Sequence, residues 1–333
     1  MSSMTSDLSH TANTTTIIRP AYFFLSGFSG IPHMKYYYVF LCLVYIITLM
    51  GNSCVMFIIC LDRSLHSPKY IAVFNLAFAD VCETTALVPQ VLDMFLFNRQ
   101  FISYEKCLIS LFFNYLFLHM QSFTLTILSY DRLVAICCPL RYHMLVSYRS
   151  MLKLTGAAWL LALLLILFLV GFNTQLSFCG SLVIDSYFCD HYPLFHLASS
   201  CSNVLANLVM FYINPCLVFY IPMILIIASY ICIIYALFTI TLPQDRHRAI
   251  KTCTSHLILV AIFYLPVTIT AIFVSFIPVN IRTFNFSLTS VLPPMLNPII
   301  YVLKTEEIKE SAKKHLRRSA QRAVGQMKST RCT

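Results

Sequence analysis

Asp131 and Arg132 stand side by side in the run LSYDRLVAICCPLRY (128–142), which is otherwise largely apolar. A carboxylate beside a guanidinium can form a charge-assisted pair. Such a pair is costly in an apolar setting unless partners or water meet it. A second set is acidic. Asp80 and Glu83 lie three apart, so on a helix they share a face. An ionisable residue within an apolar run marks a functional site by default. In a third set, Asn114, Leu118 and Gln121 fall on one helical stripe, with His119 and Ser122 beside it. His119 could meet a metal or a small molecule, or serve as a core histidine bonded to a neighbouring helix. Four cysteines, Cys107, Cys179, Cys189 and Cys201, flank or occupy one long loop region, and four cysteines allow three pairings. None of these sets is catalytic. The chain has only 7 Gly and no phosphate-cradling loop, zinc-spaced cluster or nucleophile elbow.

The elements that must position these groups follow from composition. The chain is 59% hydrophobic and 11% charged, against about 25% charged in ordinary soluble domains, and its mean hydropathy is +0.77. Apolar runs occur at roughly 36–60, 69–96, 104–138, 152–172, 204–240, 249–277 and 284–303. Each approaches or exceeds the ~20 residues a helix needs to cross a bilayer, and none alternates as a membrane strand would. Pro89, Pro222, Pro266 and Pro298 lie within runs, where neighbouring helices can satisfy the backbone groups they free. The expected fold is therefore an all-α membrane protein, a bundle of seven transmembrane helices. It comprises an N-terminal segment (1–35), the bundle (36–303) and a C-terminal portion (304–333).

Orientation follows from basic residues. With the N-terminus outside, 18 of the 23 Lys and Arg fall on the inner side, as the positive-inside rule requires. No secretory signal is expected, because residues 1–34 lack an apolar core. Asn13 heads a glycosylation sequon that is usable only outside the cell. The net charge of +10 does not imply nucleic acid, because the basic residues are scattered or gathered at the C-terminus. There, Ile308, Ala312 and Leu316 recur four apart among basic residues, which predicts a short amphipathic helix on the inner membrane lipid.

Further motifs lie in order along these runs: GNSCV with Asn52, NLAFAD with Asp80, the Asp131–Arg132 pair, Trp159, Pro222 and Tyr230, FYLP, and NPIIY with Asn297, Pro298 and Tyr301. Together they resemble a rhodopsin-like G-protein-coupled receptor. LHSPKYIAVFNLAFADV (65–81), SYDRLVAICCPLRYH (129–143), KTCTSHL (251–257), PPMLNPIIY (293–301) and the three-cysteine loop narrow the resemblance to the odorant receptors, over roughly residues 22–318. The chain departs from that family's pattern at Leu133, where Tyr is usual, at Gln121, where many members carry Glu, and at Cys137–Cys138.

The resemblance implies a plasma-membrane receptor that binds a small odorant from outside and activates a heterotrimeric G protein of the stimulatory kind. Asp131 would restrain Arg132 at rest, and Tyr230, Asn297, Pro298 and Tyr301 would rearrange on activation. Asn52, Asp80, Gln121 and Asn297 would form a polar core, with Glu83 returning the charge that Gln121 lacks. No cofactor is expected other than a sodium ion that this core could hold. The implied bonds are Cys107–Cys189 and Cys179–Cys201. The implied ligand cavity adds Asn214, Val218, Tyr264, Val267, Thr268, Ala271, Ser290 and Val291 to Asn114, Leu118, His119 and Ser122. This set contains no Lys or Arg, so the expected ligand is neutral, mostly apolar and carries one hydrogen-bonding group. A non-olfactory receptor on the same fold is the near alternative. A transporter or channel is the distant one, without the inverted repeats usual there.

Overall fold

A computed structural model describes residues 17–28, 31, 33–239, 243–273, 276–304 and 307–314. Seven long helices run back and forth: α1 (Met34–Leu61), α2 (Pro68–Leu96), α3 (Tyr104–Cys137), α4 (Tyr148–Asn173), α5 (Leu205–Thr239), α6 (Pro243–Ile272) and α7 (Val279–Lys304). Residues 307–314 form a further short helix, labelled α8, and two more short helices, Tyr142–Leu145 and His191–Ala198, lie in the loops. Six of the seven are long and apolar enough to cross a membrane. The exception, α7, carries Arg282, Asn285, Asn297 and three prolines. Leu160, Leu164, Leu167 and Phe168 of α4 point outward and are exposed, whereas Asn52, Asp80, Glu83, Gln121 and Asn297 are buried. Apolar outside and polar inside is the arrangement of a bundle whose solvent is lipid.

Three helices begin earlier than apolarity alone suggests, because capping chemistry and polar first turns carry no hydropathy signal. Ser147 caps α4, its Oγ accepting from Ser150 N at 3.1 Å. α6 starts at Pro243 rather than near 249 and α7 at Val279 rather than near 284. The carbonyls of two internal prolines take side-chain hydrogen bonds that link helices. The Pro266 carbonyl accepts from Asn285 Nδ2 (3.1 Å) and Thr270 Oγ1 (2.9 Å), and the Pro294 carbonyl accepts from Asn52 Nδ2 (2.9 Å). Gly51 lets α1 and α7 touch, since a Cβ there would lie 2.8 Å from Pro298 Cγ.

A small sheet, absent from the all-helical expectation, crosses the face that carries the N-terminal segment. β1 (Tyr22–Leu25) pairs antiparallel with β2 (Phe101–Ser103) and parallel with β3 (Val183–Ile184). Behind β1, Phe28 is buried in a cage of Tyr37, Tyr38, Phe95 and Tyr187. Gly27 permits the close approach, because any Cβ would strike the Tyr187 backbone at 2.3 Å. Disulfides join Cys107 to Cys189 and Cys179 to Cys201, with Cα separations of 5.4 and 6.3 Å. The first ties α3 to the α4–α5 loop, and the second closes that loop on itself. On the opposite face α8 docks by Ile308 and Ser311, both buried, against the α1–α2 turn. Asn13 and Leu316 lie outside the described residues, as does the side chain of Ala271.

Candidate functional site

Three polar groupings occupy three depths of the bundle. The first lies between α3, α5 and α6. α5 changes pitch just after Pro215, where Cys216–Tyr220 wind as a π-helix, a feature common at functional sites. Ser122 Oγ bonds the Val218 carbonyl within it and lies 2.8 Å from Tyr264 Oη. One hydroxyl thus ties three helices. In the same helices, Asn114 Oδ1 of α3 and Asn214 Oδ1 of α5 are buried with no hydrogen-bond partner, whereas His119 is turned to the Ala162 backbone of α4. Buried polar atoms are nearly always satisfied, so a pair of unsatisfied ones on two adjacent helices suits a ligand. His119 meets the Tyr115 ring edge-on at 6.0 Å. No group of metal-ligating residues surrounds it or any other position among the described residues. Tyr264 and Val291 are buried, and Leu118 packs against the core. Thr268 Oγ1 donates to the Tyr264 carbonyl (2.8 Å), and Ser290 Oγ lies 3.4 Å from Tyr187 Oη. Val267 is half-buried.

Above this region sit groups that sequence reasoning missed. Tyr115 donates to Asp190 Oδ1 at 2.5 Å. Burial pushes the Asp190 carboxyl upward, partly offset by that bond. His191 links Asn173 Nδ2 (2.9 Å) to the Asn207 carbonyl (3.1 Å), joining α4 to α5. Loop residues carry no periodicity, so only Asp190 following Cys189 could have pointed here.

The second grouping joins α2, α3 and α7. Gln121 Nε2 donates to Asp80 Oδ1 at 3.0 Å and also to Glu83 Oε2, while Asn297 Nδ2 donates to Asp80 Oδ2 at 2.7 Å. One amide thus serves both carboxylates. Asn52 stands apart from this set: it bonds the Thr48 and Pro294 carbonyls and ties α1 to α7.

The third grouping faces the C-terminal side. Arg132 lies 3.6 Å from Asp131, which is 1% exposed and accepts from Tyr142 Oη at 2.8 Å. Tyr230 Oη lies 2.8 Å from His256 Nδ1, and His256 Nε2 lies 3.1 Å from the Leu125 carbonyl. An imidazole protonated on Nε2 satisfies both contacts. α3, α5 and α6 are thereby latched at this end, through a histidine that lay unweighed within KTCTSHL. Tyr301 Oη is buried without a partner. Lys69, Tyr70, Arg132, Lys251, Tyr301 and Glu307 are among the residues lining a cavity of about 290 Å3 that opens here.

The sequence profile described as olfactory receptor matches residues 41–319. This chain belongs to the olfactory receptor family. Among curated relatives, human olfactory receptor 1C1 is 38% identical over 283 residues, covering 84% of this chain and 88% of that protein. Human olfactory receptor 2AT4 is 31% identical over 296 residues, covering 88% and 92%. Mouse olfactory receptor 4E2 is 34% identical over 276 residues, covering 82% and 87%. Among solved structures, squid rhodopsin superposes with a TM-score of 0.67 at 17% identity, covering 83% of each chain, which shows the seven-helix fold. The receptor is thus a multi-pass membrane protein of G-protein-coupled type, and not an enzyme.

Proposed function

We propose that this olfactory receptor resides in the plasma membrane with its N-terminal face outside. There it takes a small, neutral, mostly apolar odorant with one hydrogen-bonding group between α3, α5, α6 and α7. The observation that carries this reading is the pair of unsatisfied buried amide oxygens on Asn114 and Asn214. Each can accept a hydrogen bond from a ligand, and neither is a fixed charge that would select an ion. The excess of Lys and Arg on the C-terminal side supports the orientation. So do the two disulfides on the opposite side, as expected of an oxidising compartment. Asn13 would then be available for glycosylation, and α8 would lie on inner-leaflet lipid.

Activation requires two states biased from both faces. In the state described, Asp131 holds Arg132, Tyr230 holds α5 to α6 through His256, and His256 holds α6 against the Leu125 carbonyl of α3. Ligand binding at the Ser122–Tyr264 knot would strain the α3–α6 contact and free Arg132 for a stimulatory G protein that raises cyclic AMP. A sodium ion fits the chemistry of the second grouping. Hard oxygen donors from Asp80 and Glu83 suit it, with Gln121 turned to present Oε1, and its charge would offset that of the carboxylates.

The test is an odorant panel on cells expressing the receptor with a stimulatory olfactory G protein. Dose-dependent cyclic AMP is expected, with the response shifted at least tenfold in Asn114→Leu or Asn214→Leu. Ligand-driven current or flux without cyclic AMP would overturn the reading.

A further inference from the structure

The α4–α5 loop is fastened to the bundle at three consecutive residues. Cys189 is bonded to Cys107 of α3, and Asp190 accepts from Tyr115 of α3 at 2.5 Å. His191 joins Asn173, the last residue of α4, to Asn207 in the first turn of α5. His191, Asn173 and Asn207 are all buried. The carbonyls around this imidazole fix its donor and acceptor roles. Nε2 lies 3.1 Å from the Asn207 carbonyl, which only accepts, so Nε2 carries the hydrogen. Asn173 Nδ2 donates to the Leu169 carbonyl at 2.9 Å, which fixes the amide with its nitrogen toward His191 Nδ1, also at 2.9 Å. Nδ1 is therefore an acceptor, and His191 is neutral in the state described. A second proton would go to Nδ1 and set two donors against each other. Turning the Asn173 amide over would instead set its oxygen against the Leu169 carbonyl. Either arrangement of the charged imidazole leaves one contact repulsive.

We propose that His191 is an acid-released latch: a proton taken up from the outer side breaks its bond to Asn173, frees the loop from α4 and lowers the response to odorant. The inference rests on the proposed function, because the latch bears on the site given there. Tyr115 is the neighbour of Asn114 on α3, and Asn207 stands two turns from Asn214 on α5. Burial holds the imidazole below its ordinary value, and the Asn207 carbonyl and the Asp190 carboxylate offset this only in part. A histidine lowered in the latched state leaves that state stable above the ordinary value of about 6.5, and the stability is lost as pH falls below it. The charged group beside His191 is Asp190, with Tyr115 of α3 and Tyr187 of the loop next to Asp190 in turn. α4 and α5 meet the imidazole through the uncharged Asn173 and Asn207. On the loop helix itself, Tyr192 and His196 pack together at 5.7 Å between ring centroids. A proton on Asp190 leaves the Tyr115 bond in place, since a neutral carboxyl still accepts. Release by acid therefore runs through His191.

The test has two arms. In cells expressing the receptor with a stimulatory olfactory G protein, odorant dose-response curves are taken at external pH near 7.4 and near 5.5, either side of the ordinary histidine value. Direct stimulation of adenylate cyclase serves as the reference. One proton over about one pH unit shifts the latch equilibrium by roughly tenfold at most, so the wild-type EC50 is expected to rise about three- to tenfold in acid. His191→Gln keeps a donor for Asn207 and an acceptor for Asn173 but takes up no proton, so its EC50 should move less than about twofold. His196→Gln should follow wild type. The second arm uses the purified full-length receptor in nanodiscs without odorant. Protection of amides 190–198 from hydrogen exchange, corrected for the intrinsic pH dependence of exchange, should fall about three- to tenfold between the same pH values in wild type and hold in His191→Gln. A wild-type EC50 that does not move, or that moves equally in His191→Gln, overturns the proposal, and so does wild-type protection indifferent to pH. A receptor silent to every odorant near pH 7.4 counts against the functional reading, and the exchange arm then decides the latch by itself.

Discussion

At the scale of single residues, Gln121 has the most to lose. Its Nε2 serves Asp80 and Glu83 together, and removing one partner from a buried acceptor costs about 1–3 kcal/mol, more where charge is involved. Gln121→Leu should lower the Tm of the purified receptor by several degrees. Adding Glu83→Gln should recover part of the loss, since it removes one carboxylate and supplies a new amide. A double variant no more stable than Gln121→Leu would mean that the pair is not coupled. Arg132 is different: it is partly exposed and pairs only with its neighbour Asp131 in the contacts described, so it contributes little to packing. Arg132→Ala is therefore expected to abolish odorant-driven cyclic AMP while surface expression, measured by antibody on intact cells, stays near the wild-type level. An unchanged dose-response would remove the role given to this residue.

At the scale of elements, α8 is a small helix held by charge. Asp62 Oδ2 accepts from Ser311 Oγ at 2.7 Å, and Lys314 lies 3.8 Å away. The Ser311 and Ser64 hydrogen bonds hold the Asp62 carboxyl well below the usual range. Burial pushes Glu307 upward, but the bonds from Lys69 and Tyr70 outweigh it and leave the carboxyl lowered. Carboxyls lowered on docking stabilise the docked state above their ordinary values, and that stability is lost as pH falls through the lowered ones. α8 should therefore stay docked in mildly acidic buffer and release only below the ordinary carboxylate range. Amide exchange over 307–314 is the measurement. Asp62→Asn should raise exchange at neutral pH and flatten its pH dependence, whereas a profile matching wild type would show that Ile308 alone holds the helix. The π-helical segment of α5 belongs to this scale too. Its Val218 carbonyl takes the Ser122 hydroxyl, so the change of pitch and the α3–α5 contact are one feature.

At the scale of the whole molecule, the N-terminal strand and the α4–α5 loop close one end of the bundle together. Phe28 is the centre of that closure, caged by aromatic side chains from α1, α2 and the loop. Phe28→Ala should destabilise the receptor by about 3 kcal/mol, as buried Phe truncations do, and expose residues 17–28 to limited proteolysis. A variant with unchanged Tm and unchanged cleavage would show that the strand lies on the bundle without supporting it.

Seven long helices, the inward polar residues of α2, α3 and α7, and the motifs of the receptor family were legible without coordinates. In a bilayer each span must be a long apolar run, and each buried polar residue interrupts that run visibly. The cysteines were legible as candidates, but chain spacing leaves three pairings open, and only the family resemblance chose among them before the fold brought Cys107 to Cys189. The partners of the polar residues were decided by tertiary structure. Asn52 and Gln121 are similar amides in similar apolar runs, yet one meets backbone carbonyls of α1 and α7 and the other two carboxylates of α2. The β1–β2–β3 sheet was equally hidden, because β1 is four residues long and pairs with strands nearly 80 and 160 residues away. Periodicity reports which face of an element is apolar, and only the packing of elements against one another determines what that face meets.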